Sequence, residues 1–188
     1  MSWKGLEAAL STVDPGGAHV FATGASNEAI ARLEAVLGQA LPPAFRRAWS
    51  THDGMPHSGL AMLQLLDTRK IAGEWRGLRE YEGIDPAAIA RAAIARGPVR
   101  PLWSSPAWIP FVVIGGETRH FCIDLDPAPG GAVGQVIWAT PKEEERRVVA
   151  SDVDAFLDLL ARAVLDVYKA LGGRQLEGPI DVSDVLRL

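Results

Sequence analysis

Two carboxylates at the end of an apolar segment are the first side chains that could carry out chemistry. Asp124 and Asp126 form an Asp-x-Asp pair, and residues two apart on a strand share a face. Such a pair can hold Mg²⁺ or Mn²⁺ beside the phosphate of a nucleotide sugar. Alternatively, one carboxylate accepts backbone N–H groups of the Pro- and Gly-rich loop that follows. We favour the loop role, because neither a second acidic cluster nor a phosphate-binding glycine loop accompanies the pair.

The histidines offer a weaker case for acid–base or metal chemistry. His52 and Asp53 are adjacent in sequence, and adjacent side chains seldom aim at one proton. Gly54 follows them, and the three residues together are typical of a turn that ends a helix. The other histidines lack the spacing of metal ligands: His19, His57 and His120.

The remaining nucleophiles also lack a catalytic context. Cys122 lies between apolar residues, where a free Cys more often acts as a small hydrophobic side chain than as a nucleophile. Ser104 and Ser105 lack the Gly-x-Ser-x-Gly elbow of a hydrolase. We therefore expect no catalytic residue, no metal ligand and no cofactor site, and a protein that is not an enzyme.

Helical periodicity predicts the elements that surround these residues. Apolar residues recur at helical spacing from 27 to 37, after Pro42 and Pro43, and after the candidate caps Asp67 and Thr68. A segment rich in Ala and Arg between 85 and 97 is typical of a short surface helix. A long amphipathic helix is expected from about 152 to 171, and a turn or two of helix near the N-terminus.

Strand patterns dominate the middle of the chain. Segments 108–114, 120–125, 134–140 and 147–150 are rich in aromatic and β-branched residues and are separated by turn residues. Their connections are too short for parallel crossovers, so an antiparallel meander is expected. Residues 60–66 could form a further strand. These patterns predict an α+β single domain, with helices flanking an antiparallel sheet.

The composition limits the class of protein. The 188 residues suit one domain, and the single Cys excludes an intramolecular disulfide and favours a reducing compartment. The formal net charge of -4 argues against a strongly basic nucleic-acid binder. No signal-peptide pattern and no apolar run near the ~20 residues that span a bilayer occur. We expect a cytoplasmic protein with neither nucleic acid nor a membrane as partner.

Several motifs in a fixed order resemble one known family. The pattern LExxLGxxLP (33–42) is followed by HDG (52–54), WIPF (108–111), IDLDPAPGG (123–131) and VGQVI (133–137). Together they resemble the SUKH superfamily, which includes fungal Smi/Knr cell-wall-assembly regulators and many bacterial relatives. The chain departs from the pattern in two meander loops: residues 113–120 are less acidic than expected, and residues 138–145 lack a His-Asp pair.

The resemblance implies a domain organisation and two functions. Residues 1–20 would form an N-terminal extension, 21–171 the SUKH-like domain, and 172–188 a C-terminal tail packed on the domain. Bacterial members resemble immunity proteins that neutralise secreted toxins of type VI or contact-dependent systems, and this is our leading expectation. The alternative is a protein-interaction scaffold in cell-envelope regulation. A metal or nucleotide-sugar binding protein ranks third.

The meander loops are the expected place of partner specificity. Indoles at strand ends can anchor interfaces, and an acidic run can attract a basic toxin. The apolar tail could instead serve a homodimer. The candidate partner-binding residues are Trp103, Glu117, Asp126, Trp138, Glu143, Glu144 and Glu145.

Overall fold

The computed structural model describes residues 2–13, 21–55, 63–84, 93–114, 119–139 and 143–173. The predictions for His19, His57, Glu117, the turn at Gly115 and Gly116, and the tail beyond residue 173 lie outside these ranges. The described helices are α1 (Ser2–Val13), α2 (Asn27–Leu37), α3 (Pro43–Thr51), α4 (Thr68–Ile84) and α5 (Val153–Ala170). The described strands are β1 (Leu63–Leu65), β2 (Ile94–Arg96), β3 (Trp108–Ile114), β4 (Arg119–Asp124), β5 (Gln135–Trp138) and β6 (Glu145–Ala150).

Local capping explains the helix boundaries. The Ser26 hydroxyl accepts the Ala29 amide at the start of α2, and Gly38 ends that helix at φ 69° in the left-handed region that glycine favours. Asp67 accepts the amides of Arg69 and Lys70 at the start of α4. Asp152 caps α5 in the same way. Of the two candidate caps predicted for α4, Asp67 is the one that accepts the amides of that helix.

The strands form one open sheet in the order β1-β3-β4-β5-β6-β2. Strands β3 to β6 are the predicted antiparallel meander, and β1 adds to β3, also antiparallel. The α+β fold class is therefore confirmed. The sheet is mostly antiparallel, with one parallel pair, β2 beside β6.

That parallel pair corrects one prediction. The expected helix between 85 and 97 is wrong for its last part, because residues 94–96 are extended and pair with 145–147. The Ile94 amide donates to the Glu144 carbonyl at 2.7 Å. Pairing with the edge of β6 outweighs the modest helix preference of Ala and Arg in this segment. Residues 85–92 lie outside the described ranges.

The two faces of the sheet carry different residues. Phe111 and Phe121 pack against Phe156 of α5, with ring centroids 5.3 and 4.9 Å apart. Helices α1, α2, α3 and α4 also contribute buried residues to this main apolar core. The opposite face holds a smaller cluster, formed by Val99, Trp108, Cys122, Ile137 and Ala139. Alternate residues of β4 therefore separate an apolar face from a face that also contains buried polar groups.

Helix α1 is part of the main core. Trp3, Leu6 and Leu10 are buried, and α1 packs chiefly along α5. The Trp3 indole donates to the Ala48 carbonyl at 2.7 Å, which joins α1 to α3. The helix is longer than the one or two turns expected. No helix among the described residues is long and apolar enough to cross a membrane.

Candidate partner-binding surface

The loop after β4 is tied to the buried carboxylate of Asp124. Its Oδ1 accepts the Asp126 amide at 3.1 Å, and its Oδ2 accepts Gln135 Nε2 at 2.9 Å. Asp124 is fully buried. Burial raises the pKa of this carboxyl, while the two hydrogen bonds oppose the rise. Asp124 thus has the loop-binding role that the sequence favours.

Gln135 links this loop to the segment that precedes β3. Its Nε2 also donates to the Pro98 carbonyl at 2.9 Å, and its Oε1 accepts the Ala132 amide at 3.3 Å. Gly131 is required for close approach, because a Cβ there would lie 2.7 Å from the Pro98 carbonyl oxygen. The loop is therefore held in one conformation by buried contacts.

Asp126 is exposed and pairs with Arg100. Its Oδ1 accepts Arg100 Nη2 at 2.8 Å, and its carbonyl accepts Arg100 Nε at 3.0 Å. The two carboxylates of the Asp-x-Asp pair therefore have separate side-chain partners, Gln135 for Asp124 and Arg100 for Asp126. Among the described residues, no group of three or more His, Cys, Asp or Glu side chains could hold a metal ion.

Trp103 lies over a buried guanidinium. Arg146 Nη2 donates to the Trp103 carbonyl at 2.7 Å, and Nη1 donates to the carbonyls of Glu143 and Glu145 at 2.6 and 2.9 Å. The guanidinium also lies 5.2 Å from the centroid of the Trp103 ring. Burial lowers the pKa of Arg146 to about 10, so it is charged at neutral pH.

Arg146 is a buried residue that the sequence patterns do not predict. Next to a glutamate run, an arginine is expected on the surface. Its position in β6 is the one usable signal, because Arg146 and Val148 alternate with Arg147 and share the face of the small cluster.

Trp138 is a core residue in this structure. Its ring is buried against Phe121, with centroids 5.0 Å apart, and its Nε1 donates to Glu143 Oε2 at 2.7 Å. Arg147 covers the ring at 5.8 Å. The buried position does not favour an interface role for Trp138. The carboxylate of Glu143 accepts the hydrogen bond of this indole.

The other candidates differ in exposure. Glu144 and Asp126 are exposed, whereas Trp103 and Glu145 are half-buried. Glu145 pairs with Arg96, its Oε2 lying 3.2 Å from Arg96 Nε. Glu117 lies outside the described residues. Among the predicted acidic residues that the structure describes, Asp126 and Glu144 are therefore the exposed ones.

His52 and Asp53, which follow α3, contact two different helices. His52 Nδ1 contacts the Ala22 carbonyl at 2.9 Å and its Nε2 contacts Glu7 at 2.6 Å. Asp53 instead accepts the Thr68 amide and hydroxyl at 2.7 and 3.1 Å, and burial raises its pKa. The adjacent residues therefore do not form an acid–base pair.

His120 and Cys122 lie on the face of β4 that is opposite the main core. His120 is buried, and its Nε2 lies 2.8 Å from Glu74 Oε1 on α4. This hydrogen bond lowers the pKa of Glu74. Burial raises the pKa of the Cys122 thiol well above its usual range, which is unfavourable for a nucleophile.

The SMI1 / KNR4 family (SUKH-1) model matches residues 24–159. The chain belongs to the SMI1/KNR4 family. The match runs from the residues before α2 into α5. It therefore includes the whole meander and the two residues, Asp124 and Gln135, that hold the loop after β4. Helix α1 lies outside the matched residues, although it packs on α5 of the SMI1/KNR4 domain.

One relative of this SMI1/KNR4-family chain is a fission-yeast protein. It is the cell wall biosynthesis/cell cycle regulator smi1 of Schizosaccharomyces pombe, 31% identical over 156 residues. The similarity covers 73% of this chain and 30% of the relative. The chain therefore spans about three tenths of the length of that regulator.

Proposed function

We propose that this SMI1/KNR4-family protein is a protein-binding module that carries out no chemical step and acts in cell-envelope regulation. The role in cell-envelope regulation is supported by the fission-yeast relative, which is a cell wall biosynthesis/cell cycle regulator. The binding mode is supported by one observation: Asp124 is buried as a structural tie, so it holds a preformed loop instead of serving as a ligand.

The proposed surface consists of residues 98–102 and 126–134, which we name the Asp126 loop surface. Arg100 and Asp126 join its two segments, and Val133 and Leu102 expose large apolar side chains on it. Apolar anchors beside a charged rim are typical of protein interfaces. Because the loop is already ordered, less conformational entropy is lost on binding.

Immunity to a secreted toxin is the second candidate. It is supported by the resemblance to bacterial immunity proteins and by the exposed carboxylates of Asp126 and Glu144, which suit a basic partner. In this setting the same surface would cover the active site or substrate groove of the toxin.

A complementation experiment separates the two settings. The gene is deleted from its host, and growth is compared under cell-wall stress and under exposure to the toxin encoded beside the gene. Regulation predicts sensitivity to wall stress without any toxin. Immunity predicts normal growth until the toxin is present.

The same strains test the surface. Asp126→Lys with Glu144→Lys should fail to restore growth, whereas Asp166→Lys, an exposed change on α5, should restore it. Equal restoration by both variants would remove the Asp126 loop surface from the proposal. Turnover of a substrate by the purified protein would contradict the absence of a chemical step.

A further inference from the structure

A groove of about 270 Å³ lies between α2 and α4. Its floor is apolar and is formed by Ala29, Leu33 and Val36 of α2 and by Ala72 of α4. The α2 residues follow the i, i+4, i+7 spacing of one helix face. Leu33 is buried in the main core while its neighbours are half-buried, so the floor is continuous with the core but open to solvent.

Three arginines line this groove: Arg32 on α2, and Arg69 and Arg76 on α4. All three are exposed, and none forms an ion pair within 4 Å with another residue that the structure describes. Glu28, one turn before Arg32, is also beyond that distance. Arg69 and Arg76 are seven residues apart, which is about 10.5 Å along a helix.

We propose that this groove binds an acidic amphipathic segment of a partner protein. Its carboxylates would pair with the three guanidinium groups, and its apolar side chains would cover the floor. The proposal rests on the proposed function as a protein-binding module, but it uses none of the residues of the Asp126 loop surface.

The charge distribution selects this occupant. The whole chain has a net charge of -4, yet the groove presents three guanidinium groups that form no ion pair within 4 Å among the described residues. Guanidinium groups form paired hydrogen bonds with carboxylates. A helix with two carboxylates seven residues apart matches the spacing of Arg69 and Arg76, and a helix lying in a groove is a common mode of peptide recognition. The apolar floor adds an affinity for side chains that a nucleic-acid backbone does not offer.

The probe is an 18-residue amphipathic helical peptide with Leu on one face and two flanking Glu seven residues apart. A matched peptide has Gln in place of both Glu. Binding is measured by fluorescence anisotropy at two salt concentrations, and the site is mapped by NMR shifts of the full chain. The protein variants are Arg69→Glu with Arg76→Glu, and Val36→Asp in the floor. Arg162→Glu, a single charge reversal at an exposed position of α5, is the control outside the groove.

We expect the acidic peptide to shift the amides of 29–36 and 69–76. The Gln peptide should bind at least tenfold more weakly, as should both groove variants, while Arg162→Glu changes the affinity less than twofold. Higher salt should weaken binding. Circular dichroism verifies that each variant is folded.

Three outcomes would overturn the proposal: equal binding of the two peptides, shifts that map elsewhere, or equal losses for the groove variants and Arg162→Glu. Tighter binding of a single-stranded oligonucleotide through the same arginines would replace the protein segment with nucleic acid. The Asp126→Lys, Glu144→Lys variant should bind the peptide normally. A failure of the peptide therefore removes the groove alone and leaves the proposed function to its own complementation test.

Discussion

The guanidinium of Arg146 donates to the backbone carbonyl of Trp103 at 2.7 Å and also lies 5.2 Å from the centre of the Trp103 ring. One buried cation therefore holds the segment before β3 against the start of β6. The carbonyls of Glu143 and Glu145 also accept hydrogen bonds from this guanidinium. Trp103 is consequently a structural partner of β6 as well as a half-buried surface residue.

Replacement of this cation should be costly even when the charge is kept. Arg146→Lys should lower the free energy of unfolding by about 2 kcal/mol, because one ammonium cannot reach three carbonyls in the planar geometry of arginine. Urea unfolding measures the change. Arg96→Lys at an exposed position should stay within ~0.5 kcal/mol. Equal effects of the two changes would contradict the structural role of Arg146.

The contact between Glu74 and His120 should also stabilise the fold. Glu74→Ala leaves a buried imidazole donor without its acceptor, which should cost about 1–3 kcal/mol. Glu74→Gln retains an oxygen acceptor and should cost less. Chemical denaturation at pH 7 would reveal the ranking, and an alanine variant as stable as the wild type would refute the contact.

The lowered pKa of Glu74 adds a dependence on pH. Its carboxyl binds protons less readily in the folded than in the unfolded chain, so its stabilisation is present above the ordinary value of 4.5 and is lost as the pH falls through the folded value. The advantage of the wild type over Glu74→Gln should therefore shrink below about pH 4.5. An advantage that grew on acidification would have the wrong sign.

Asp124 should behave in the opposite way. Burial raises its pKa above the ordinary value of 3.8, so the folded state binds the proton more readily and this contribution to stability is lost as the pH rises through the folded value. The stability of the wild type relative to Asp124→Asn should thus increase as the pH falls towards 3.8. Unfolding midpoints of the wild type and of Asp124→Asn from pH 3 to 7 test this, and a difference between them that stayed constant or shrank on acidification would contradict it.

Trp3 should be essential for stability although it precedes the family match. Its indole is buried among Phe21, Trp49 and His52, and Trp3→Ala should cost about 3–5 kcal/mol. Trp3→Phe keeps a ring and should cost less. Lys4→Ala, at the next and exposed position, is the control. Thermal unfolding with no loss for Trp3→Ala would show that α1 contributes nothing to the core.

Several elements could be predicted from local patterns. The bounds of α2 follow from helical spacing and from the capping residues Ser26 and Gly38, and those of β3 follow from a run of aromatic and β-branched residues. The role of Asp124 was also predictable, because the amide that it accepts belongs to Asp126, two residues away. In each case the physical cause acts within one turn or one strand of the chain.

Other features depend on groups that are distant in sequence. Nothing near Ile94 signals that it pairs with Glu145, 51 residues later in the chain. The burial of Arg146 depends on the carbonyl of Trp103, 43 residues away. A charged residue beside three glutamates is expected on the surface from its local sequence. Arg146 is buried because the fold brings three backbone carbonyls to its guanidinium.

The candidate site shows the same division. The acidic and aromatic residues of the meander loops are visible in the sequence, but their exposure is not. Trp138 lies in the main core because alternate side chains of β5 face α5. Asp126 is exposed and pairs with Arg100. The groove between α2 and α4 combines two helix faces, each of which alone has ordinary amphipathic spacing.

The amino-acid sequence by itself determined the family, the α+β class, most helix and strand positions and the tied loop of Asp124, because periodicity, caps and turns act over short distances. The tertiary structure alone decided that β2 joins the sheet in parallel, that Arg146 is buried beneath Trp103, and that Arg32, Arg69 and Arg76 line one apolar groove. Those properties arise from the mutual placement of distant segments, which hydrophobic burial imposes and no local pattern encodes.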